Sequence, residues 1–347
     1  MKKNLILALA MGLALNLAAC GQTAANEAQT QAETQITVET ETQAQTQTET
    51  QSEAETQTQT AEAAAQGEKP GQDRAGNSIQ VPEQTDRIIS LMPASTQILA
   101  DLGLKDNIIA VDTQSPSYED FSDDVLQFDM MEPDLEQLIA SEPDVIFVSN
   151  LSSQGGEDIF ASVREAGICV AEIPTSDTIE DVKLDVQFVA DCVGKSAEGA
   201  ALVDQMEEEI AAVKAIGDTI TEKKTVLFEI SPLPYLYSFG RGVYLNEMIE
   251  LIGAQNVLAD QEGWLSVTEE SAVASNPDVI LTNDNFSGVD AVEQILARPG
   301  WENVTAVANR QVYYIDNGAS SLPNHHIVDA LREMAKAVYP DEFAGLE

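Results

Sequence analysis

The sequence predicts an α/β protein of two Rossmann-like lobes with parallel sheets, joined by one long rigid α-helix. Three observations predict it. Glu136–Ile146 is written again as Glu270–Ile280 at a constant offset of 134 residues, with Glu, Ala, Ser, Pro, Asp, Val and Ile recurring in place. A period that long marks a duplicated domain, not a solenoid of short repeats. Ile98–Gly103 and Met248–Gly253 form a second echo, each a helix closing at a glycine before a new strand. Strand-like and helix-like runs also alternate along both halves, which demands right-handed crossovers and a mainly parallel sheet.

The chain opens with Lys2-Lys3 and the apolar run Leu5 to Leu15, the form of a secretory signal. The run is shorter than the ~20 residues a spanning helix needs. Leu17-Ala18-Ala19-Cys20-Gly21 resembles a bacterial lipoprotein cleavage box. That resemblance implies that residues 1–19 are removed and that acylated Cys20 anchors the protein to the extracytoplasmic face of the cell membrane. Each buried acyl methylene would contribute ~0.8 kcal/mol. Residues 20–70 are dominated by Gln, Thr, Glu and Ala, too polar to offset their chain entropy, and read as a disordered tether. Random-coil scaling gives it a reach of about 40 Å.

The balance of 17 basic against 59 acidic residues, net −42, excludes nucleic acid and direct adsorption to an anionic membrane. It suits a partner with basic pockets.

The first lobe, residues 71–195, begins with the strand Arg87–Leu91 and the turn Met92–Thr96, whose Ser or Thr can cap the next helix. Strands follow at Ile108–Val111, Val145–Val148 and Ile168–Ile173, with helices at Leu135–Ser141 and Asp158–Glu165. In the repeat, Pro ends each helix because the residue before proline is pushed out of the α region. Ile179, Val182, Val186, Val189 and Val193 recur at helical spacing between Asp177, a candidate cap, and Gly194. The joining helix, residues 196–218, carries Leu202, Met206, Ile210 and Val213 and spans roughly 30 Å. The second lobe, residues 219–347, starts at Thr225–Ile230 and ends with the strand Gln311–Ile315 and the helix Ile327–Val338. Cys169 and Cys192 are either free buried thiols or a strand–helix disulfide.

Ligands of parallel sheets meet the loops at the carboxyl ends of the strands. In the first lobe these are Met92–Thr96, Asp112–Ser115, Ser149–Ser153 and Pro174–Ser176, with Met92, Ser95, Gln114 and Asn150 as candidate contacts. Met130 belongs to an adaptable apolar patch that serves either core or contact. Tyr235, Tyr237 and Trp264 either pack on a flat ligand or on their neighbours. Arg241 is the one basic residue in an expected cleft loop, or else a solvated charge. His325 and His326, the only histidines, begin the last helix. A helix N-terminus disfavours imidazolium and leaves neutral nitrogen free to ligate a metal; the plain alternative is an exposed helix start.

From about Asp73 to Pro340 the chain resembles the bacterial substrate-binding proteins that deliver cobalamin, haem and ferric siderophores to ABC importers. The residues that carry the resemblance are Arg87–Leu91 with Pro93–Thr96, Glu142-Pro143-Asp144, Asn246–Gly253 with Asn256, and Arg298-Pro299-Gly300-Trp301. It implies two α/β lobes on one rigid helix, the class III architecture. It also implies a monomer without a cofactor of its own, whose cargo is the metal chelate, and partners consisting of an ABC permease and its cytoplasmic ATPase. Glu136 and Glu270 would dock into arginine pockets on the permease, with Glu269 as the nearest competitor. The turn before the last helix would face the cleft, so that His325 or His326 could serve as a metal ligand if the chelate is axially ligated. The family's zinc and manganese binders use several histidines, and two adjacent ones do not complete a site of that type. A tris-catecholate complex would want several cations, so corrinoid, haem or hydroxamate chelates lead.

An enzyme of the chelatase kind on the same fold is the alternative. Against it, the chain has no Gly-x-Ser-x-Gly, no His-Glu-x-x-His and no Cys–His pair placed as a dyad. A surface protein whose Gln/Thr tail is the active part is the third reading.

Overall fold

The computed structural model describes residues 67–153, 158–286 and 288–346. Cys20, the expected leader and nearly all of the expected tether lie outside them. The N-terminal lobe has strands β1 (Ile88–Ser90), β2 (Ile108–Asp112), β3 (Leu126–Phe128), β4 (Val145–Ser149) and β5 (Cys169–Ile173). They lie in the order β3-β2-β1-β4-β5, every neighbouring pair parallel. Its helices are α1 (Pro93–Asp101), α2 (Leu135–Ala140), α3 (Ala161–Glu165) and α4 (Ile179–Cys192). Because side chains alternate along a strand, the sheet feeds two layers. Ile88, Val145, Phe147 and Ala171 pack with Ile98, Leu99 and Val186 of α1 and α4. Ile89, Ile146, Val148 and Val170 pack with Leu138, Phe160 and Val163 on the α2–α3 side.

Two helix starts differ from expectation. Pro93 takes the first helical position, so Met92 is the cap, and Ser95 and Thr96 turn back onto its carbonyl at 3.1 and 3.0 Å. In α4 the cap is Thr178, not Asp177; it forms a capping box with Asp181. Cys169 and Cys192 are both free and buried, and burial pushes the Cys169 thiol up to about 11.

The spine, α5 (Ser196–Gly217), turns Gly199, Met206, Val213 and Gly217 inward. Its glycines mark close approaches. A Cβ on Gly199 would stand 2.3 Å from the Ala190 Cβ of α4, and one on Gly217 would stand 2.1 Å from the Leu251 carbonyl oxygen of the second lobe. The helix is thus gripped at both ends by backbone-level packing.

The C-terminal lobe has strands β6 (Thr225–Glu229), β7 (Tyr237–Phe239), β8 (Gln255–Asn256), β9 (Trp264–Ser266), β10 (Val279–Thr282) and β11 (Val312–Tyr314). Four form a parallel sheet, β11-β10-β6-β8, while β7 and β9 pair antiparallel beside it. The helices are α6 (Tyr244–Leu251), α7 (Glu269–Ser275), α8 (Ala291–Leu296), α9 (Thr305–Ala308), α10 (Asn317–Ser321) and α11 (Ile327–Val338). Among the described residues no helix is long and apolar enough to cross a membrane.

The sequence repeat is a geometric repeat. Glu142 and Asn276, the residues before the two prolines, both adopt the left-handed region, with φ of 47° and 45°. Proline disfavours the right-handed region there, and the left-handed turn stops the helix and aims the chain into the strand. The following aspartates then do the same work. Asp144 Oδ2 accepts from the Arg87 amide at 2.9 Å, and Asp278 Oδ2 accepts from the Thr225 amide at 2.8 Å. Each pins the start of the neighbouring strand, β1 or β6.

Candidate functional site

In each sheet the strand order reverses between the two central strands, β1 and β4 in one lobe, β6 and β10 in the other. Ligand crevices form at such switch points, outside the carboxyl ends. The two sets of carboxyl-end loops meet each other. Tyr118, after β2, donates to Asn317 Oδ1, after β11, at 3.0 Å. Burial pushes the Tyr118 phenol up, so it stays a donor.

The N-terminal floor is built from hydroxyls. Ser90 Oγ lies 2.8 Å from both Ser95 Oγ and Thr96 Oγ1, and Ser115 Oγ lies 3.0 Å from Thr96 Oγ1 and donates to Asp112. This buried chain ties the β1 loop to the β2 loop. Ser95 is consumed by it, which removes its hydroxyl from the expected contacts and leaves half-buried Met92 and exposed Gln114 above the floor. Asn150 is half-buried at the end of β4, with Thr175 at 3.5 Å. Met130 is half-buried after β3.

The opposite wall is aromatic. Trp264 stacks on Tyr237 with centroids 6.2 Å apart and rings 2° from parallel, and Phe239 meets Trp264 edge-on at 6.0 Å. The stack is held by the β7–β9 pairing, which sets Phe239 opposite Trp264. Tyr235 is 84% exposed and Phe286 is 76% exposed. Sequence reasoning missed Phe286; its position four residues past β10 was the available signal. Of the nine exposed large apolar side chains among the described residues, seven stand on loops or strand ends at this edge: Trp264 with Met131, Leu151, Tyr235, Phe286, Val289 and Tyr314. Water-exposed apolar surface gathered on one set of loops marks a contact surface.

Beneath the wall, Glu229 at the end of β6 makes a bidentate pair with Arg298 at 2.8 Å to each nitrogen, both side chains buried. Arg298 lies 4.5 Å over the Trp301 ring, and Trp301 Nε1 donates to Glu269 Oε1 at 3.0 Å. The Arg-Pro-Gly-Trp run therefore joins the cleft floor to the first turn of α7. At the end of β10, Asn283 Oδ1 and Asp284 Oδ2 are buried with no hydrogen-bond partner among the described residues. Both are acceptors. Arg241, expected as the cleft cation, is half-exposed and only 3.6 Å from Glu262. The loops that follow the parallel strands, 113–118, 129–134, 150–160, 174–178, 230–236, 283–290 and 315–317, contain no lysine or arginine.

His325 and His326 depart from the expected cleft-facing turn. Both Nε2 atoms reach Asp101 Oδ2, at 2.8 and 2.9 Å. Asp101 is the last residue of α1, eight residues from Pro93 and hence about 12 Å along the helix from the Met92 turn. The imidazoles line a groove with Leu202, Gln205 and Glu209 of the spine. Capping of the Asn324 turn explains this: Asn324 Nδ2 donates to Gln97 Oε1 at 2.7 Å, which draws the turn onto the α1 helix.

Glu136 and Glu270 are exposed in the first turns of α2 and α7. Helices of parallel units run opposite to the strands, so these first turns sit level with the carboxyl ends.

The periplasmic binding protein family matches residues 88–319. An uncharacterised ABC transporter substrate-binding lipoprotein, YvrC of Bacillus subtilis, is 29% identical over 273 residues, covering 78% of this chain and 85% of YvrC. A cobalamin-binding protein of Halobacterium salinarum is 24% identical, covering 77% and 73% of the two chains. The crystal structure of a possible iron-binding, periplasmic solute-binding protein from Staphylococcus epidermidis superposes with a TM-score of 0.65 at 27% identity, over 74% of this chain and all of that one. With the paired parallel sheets and the single joining helix, these matches establish that the chain belongs to the periplasmic binding protein family.

Proposed function

We propose that this chain is the extracytoplasmic substrate-binding lipoprotein of an ABC importer, which captures a metal chelate between its lobes and hands it to the permease. The carrying observation is the gathering of exposed apolar side chains on the carboxyl-end loops, with the Tyr237–Trp264 stack beside Tyr235 and Phe286. Large flat faces of that kind suit a macrocycle or a compact organic chelate. The lack of lysine and arginine on the loops after the parallel strands disfavours a strongly anionic cargo. The orphan acceptors of Asn283 and Asp284 favour a cargo that carries hydrogen-bond donors. Corrinoid and hydroxamate chelates meet both conditions better than a tris-catecholate. The metal chelate is cargo, held through its organic shell, and the chain acts as a monomer with no cofactor of its own.

Cys20 supplies the anchor in this reading, and Glu136 and Glu270 the docking points on the permease. The test is titration of the purified protein with cyanocobalamin, haemin and ferrichrome, read by tryptophan fluorescence. Exposed Trp264 reports on the cleft, while fully buried Trp301 gives a constant background. One chelate should quench saturably at one per chain, and Trp264→Phe should remove most of the quench. Failure of all three to bind overturns the chelate assignment.

A further inference from the structure

The groove beside the spine holds a cluster that the cleft does not use. Asp101 Oδ2, His325 Nε2 and His326 Nε2 lie within 4.8 Å of one another. Asp101 comes from the first lobe and the histidines from the second, so the cluster bridges the lobes. We propose that it is a binding site for a late first-row divalent cation, of which Zn²⁺ is the probe, and that the ion bolts the two lobes together behind the cleft.

Four observations carry this. Both imidazoles converge on the same carboxylate oxygen, at 2.8 and 2.9 Å. The three donor atoms therefore lie close enough together to surround one ion. Ligands about 2.0–2.1 Å from a shared ion stand about 3 Å apart when they subtend a right angle, so the measured separations need only small adjustment. Two imidazoles and one carboxylate are, second, a donor set that borderline metals prefer over Mg²⁺ or Ca²⁺. Third, His326 Nδ1 lies 3.4 Å from Asp329 Oδ2, the carboxylate–histidine arrangement that orients ligating imidazoles. Fourth, the surrounding groove, about 390 Å³, is open to solvent and sets the carboxylates of Asp101, Glu209 and Asp329 against one guanidinium, Arg332. Three carboxylates against one guanidinium make an anionic groove that suits a cation. Two adjacent histidines fall short of a zinc site in the sequence alone; the fold adds the third ligand from 224 residues away.

The untagged full-length protein, stripped with chelator, is titrated calorimetrically with Zn²⁺ in excess Mg²⁺, and with Co²⁺ by visible absorption. One Zn²⁺ per chain is expected, with a rise in Tm. Asp101→Asn, His325→Gln and His326→Gln should each weaken Zn²⁺ at least tenfold and abolish the Co²⁺ band. The glutamines preserve hydrogen bonding to Asp101, so metal-free melting close to wild type certifies the fold. Zn²⁺ affinity and a Zn²⁺-induced Tm rise that persist in folded His325→Gln and His326→Gln variants would overturn the site and leave an interlobe hydrogen-bond cluster. Because the readout is the free ion, a chain that binds Zn²⁺ and no chelate would refute the cargo assignment and not this one.

Discussion

Asp284 has one carboxylate oxygen bonded and one orphaned among the described residues. Its Oδ1 accepts from the Phe286 amide at 3.1 Å, while Oδ2 is buried without a partner. An unmet buried acceptor costs about 1–3 kcal/mol until something donates to it. Asp284→Ala should therefore raise the Tm of the ligand-free protein by a shift worth about 1–3 kcal/mol while weakening chelate binding at least tenfold. Unchanged values in both measurements would remove Asp284 from the site. Arg298 behaves oppositely. Its removal strands the Glu229 carboxylate in the interior, so Arg298→Ala should cost about 3–5 kcal/mol in urea unfolding, and Arg298→Met with Glu229→Leu much less. A double variant as unstable as the single one would refute the buried-charge account. At this scale the sequence named Tyr235, Tyr237, Trp264 and the Arg-Pro-Gly-Trp run, but neither Phe286 nor the partners of these residues. Whether an oxygen is satisfied depends on neighbours such as Ser320, which lies 37 residues from Asn283 and receives its side-chain amide proton. No local pattern encodes that.

The repeated helix–turn–strand was legible because its chemistry is local: Pro pushes the preceding residue out of the right-handed region. The aspartate contacts to the neighbouring strand, 57 and 53 residues away, were not. The β7–β9 pair was not, since its halves are three residues each and separated by α6 and β8. The spine was legible as a helix, but its grip was not, because close approach is a property of the partner. Beyond the two glycine contacts, Lys183 of α4 pairs with Glu207 at 2.7 Å and Arg332 of α11 pairs with Glu209. Glu247 of α6 accepts from the Ile179 amide at the head of α4 at 2.9 Å, capping one lobe's helix from the other lobe. Gly217→Ala should thus be strongly destabilising, by about 1–3 kcal/mol or more, because the obstacle is backbone that has no rotamer to yield. A melting curve unaltered by the alanine would show that the helix end relaxes freely. The same grip predicts that saturating ligand produces no scattering-detected compaction beyond measurement scatter; a clear fall in radius of gyration would refute the rigid spine.

For the whole molecule the question is how two lobes present one cleft to a permease. α2 and α7 occupy equivalent places in the repeat, and their first turns lie level with the carboxyl edges from which the cleft opens. Glu136 and Glu270 thus stand on the cleft side, one per lobe, at separate points of the same face, and both are exposed. The structure also separates Glu270 from its neighbour, since Glu269 is engaged by Trp301 Nε1 at 3.0 Å. Two carboxylates at fixed separation on a rigid frame make a register: basic pockets that accept both can seat the cleft in only one orientation. Closing such a pair removes two charges from water, so reversing one partner sets like charges together and costs several-fold to many-fold in complex lifetime. Neither residue touches the aromatic wall or the hydroxyl floor, so cargo capture should be indifferent to them. We therefore expect Glu136→Arg with Glu270→Arg to abolish uptake in cells while the purified variant binds its chelate within about twofold of wild type, a factor worth only ~0.4 kcal/mol. Glu269→Arg should instead lower stability, because it breaks the Trp301 bond. Transport that survives the double reversal undiminished would exclude these two glutamates as the docking register.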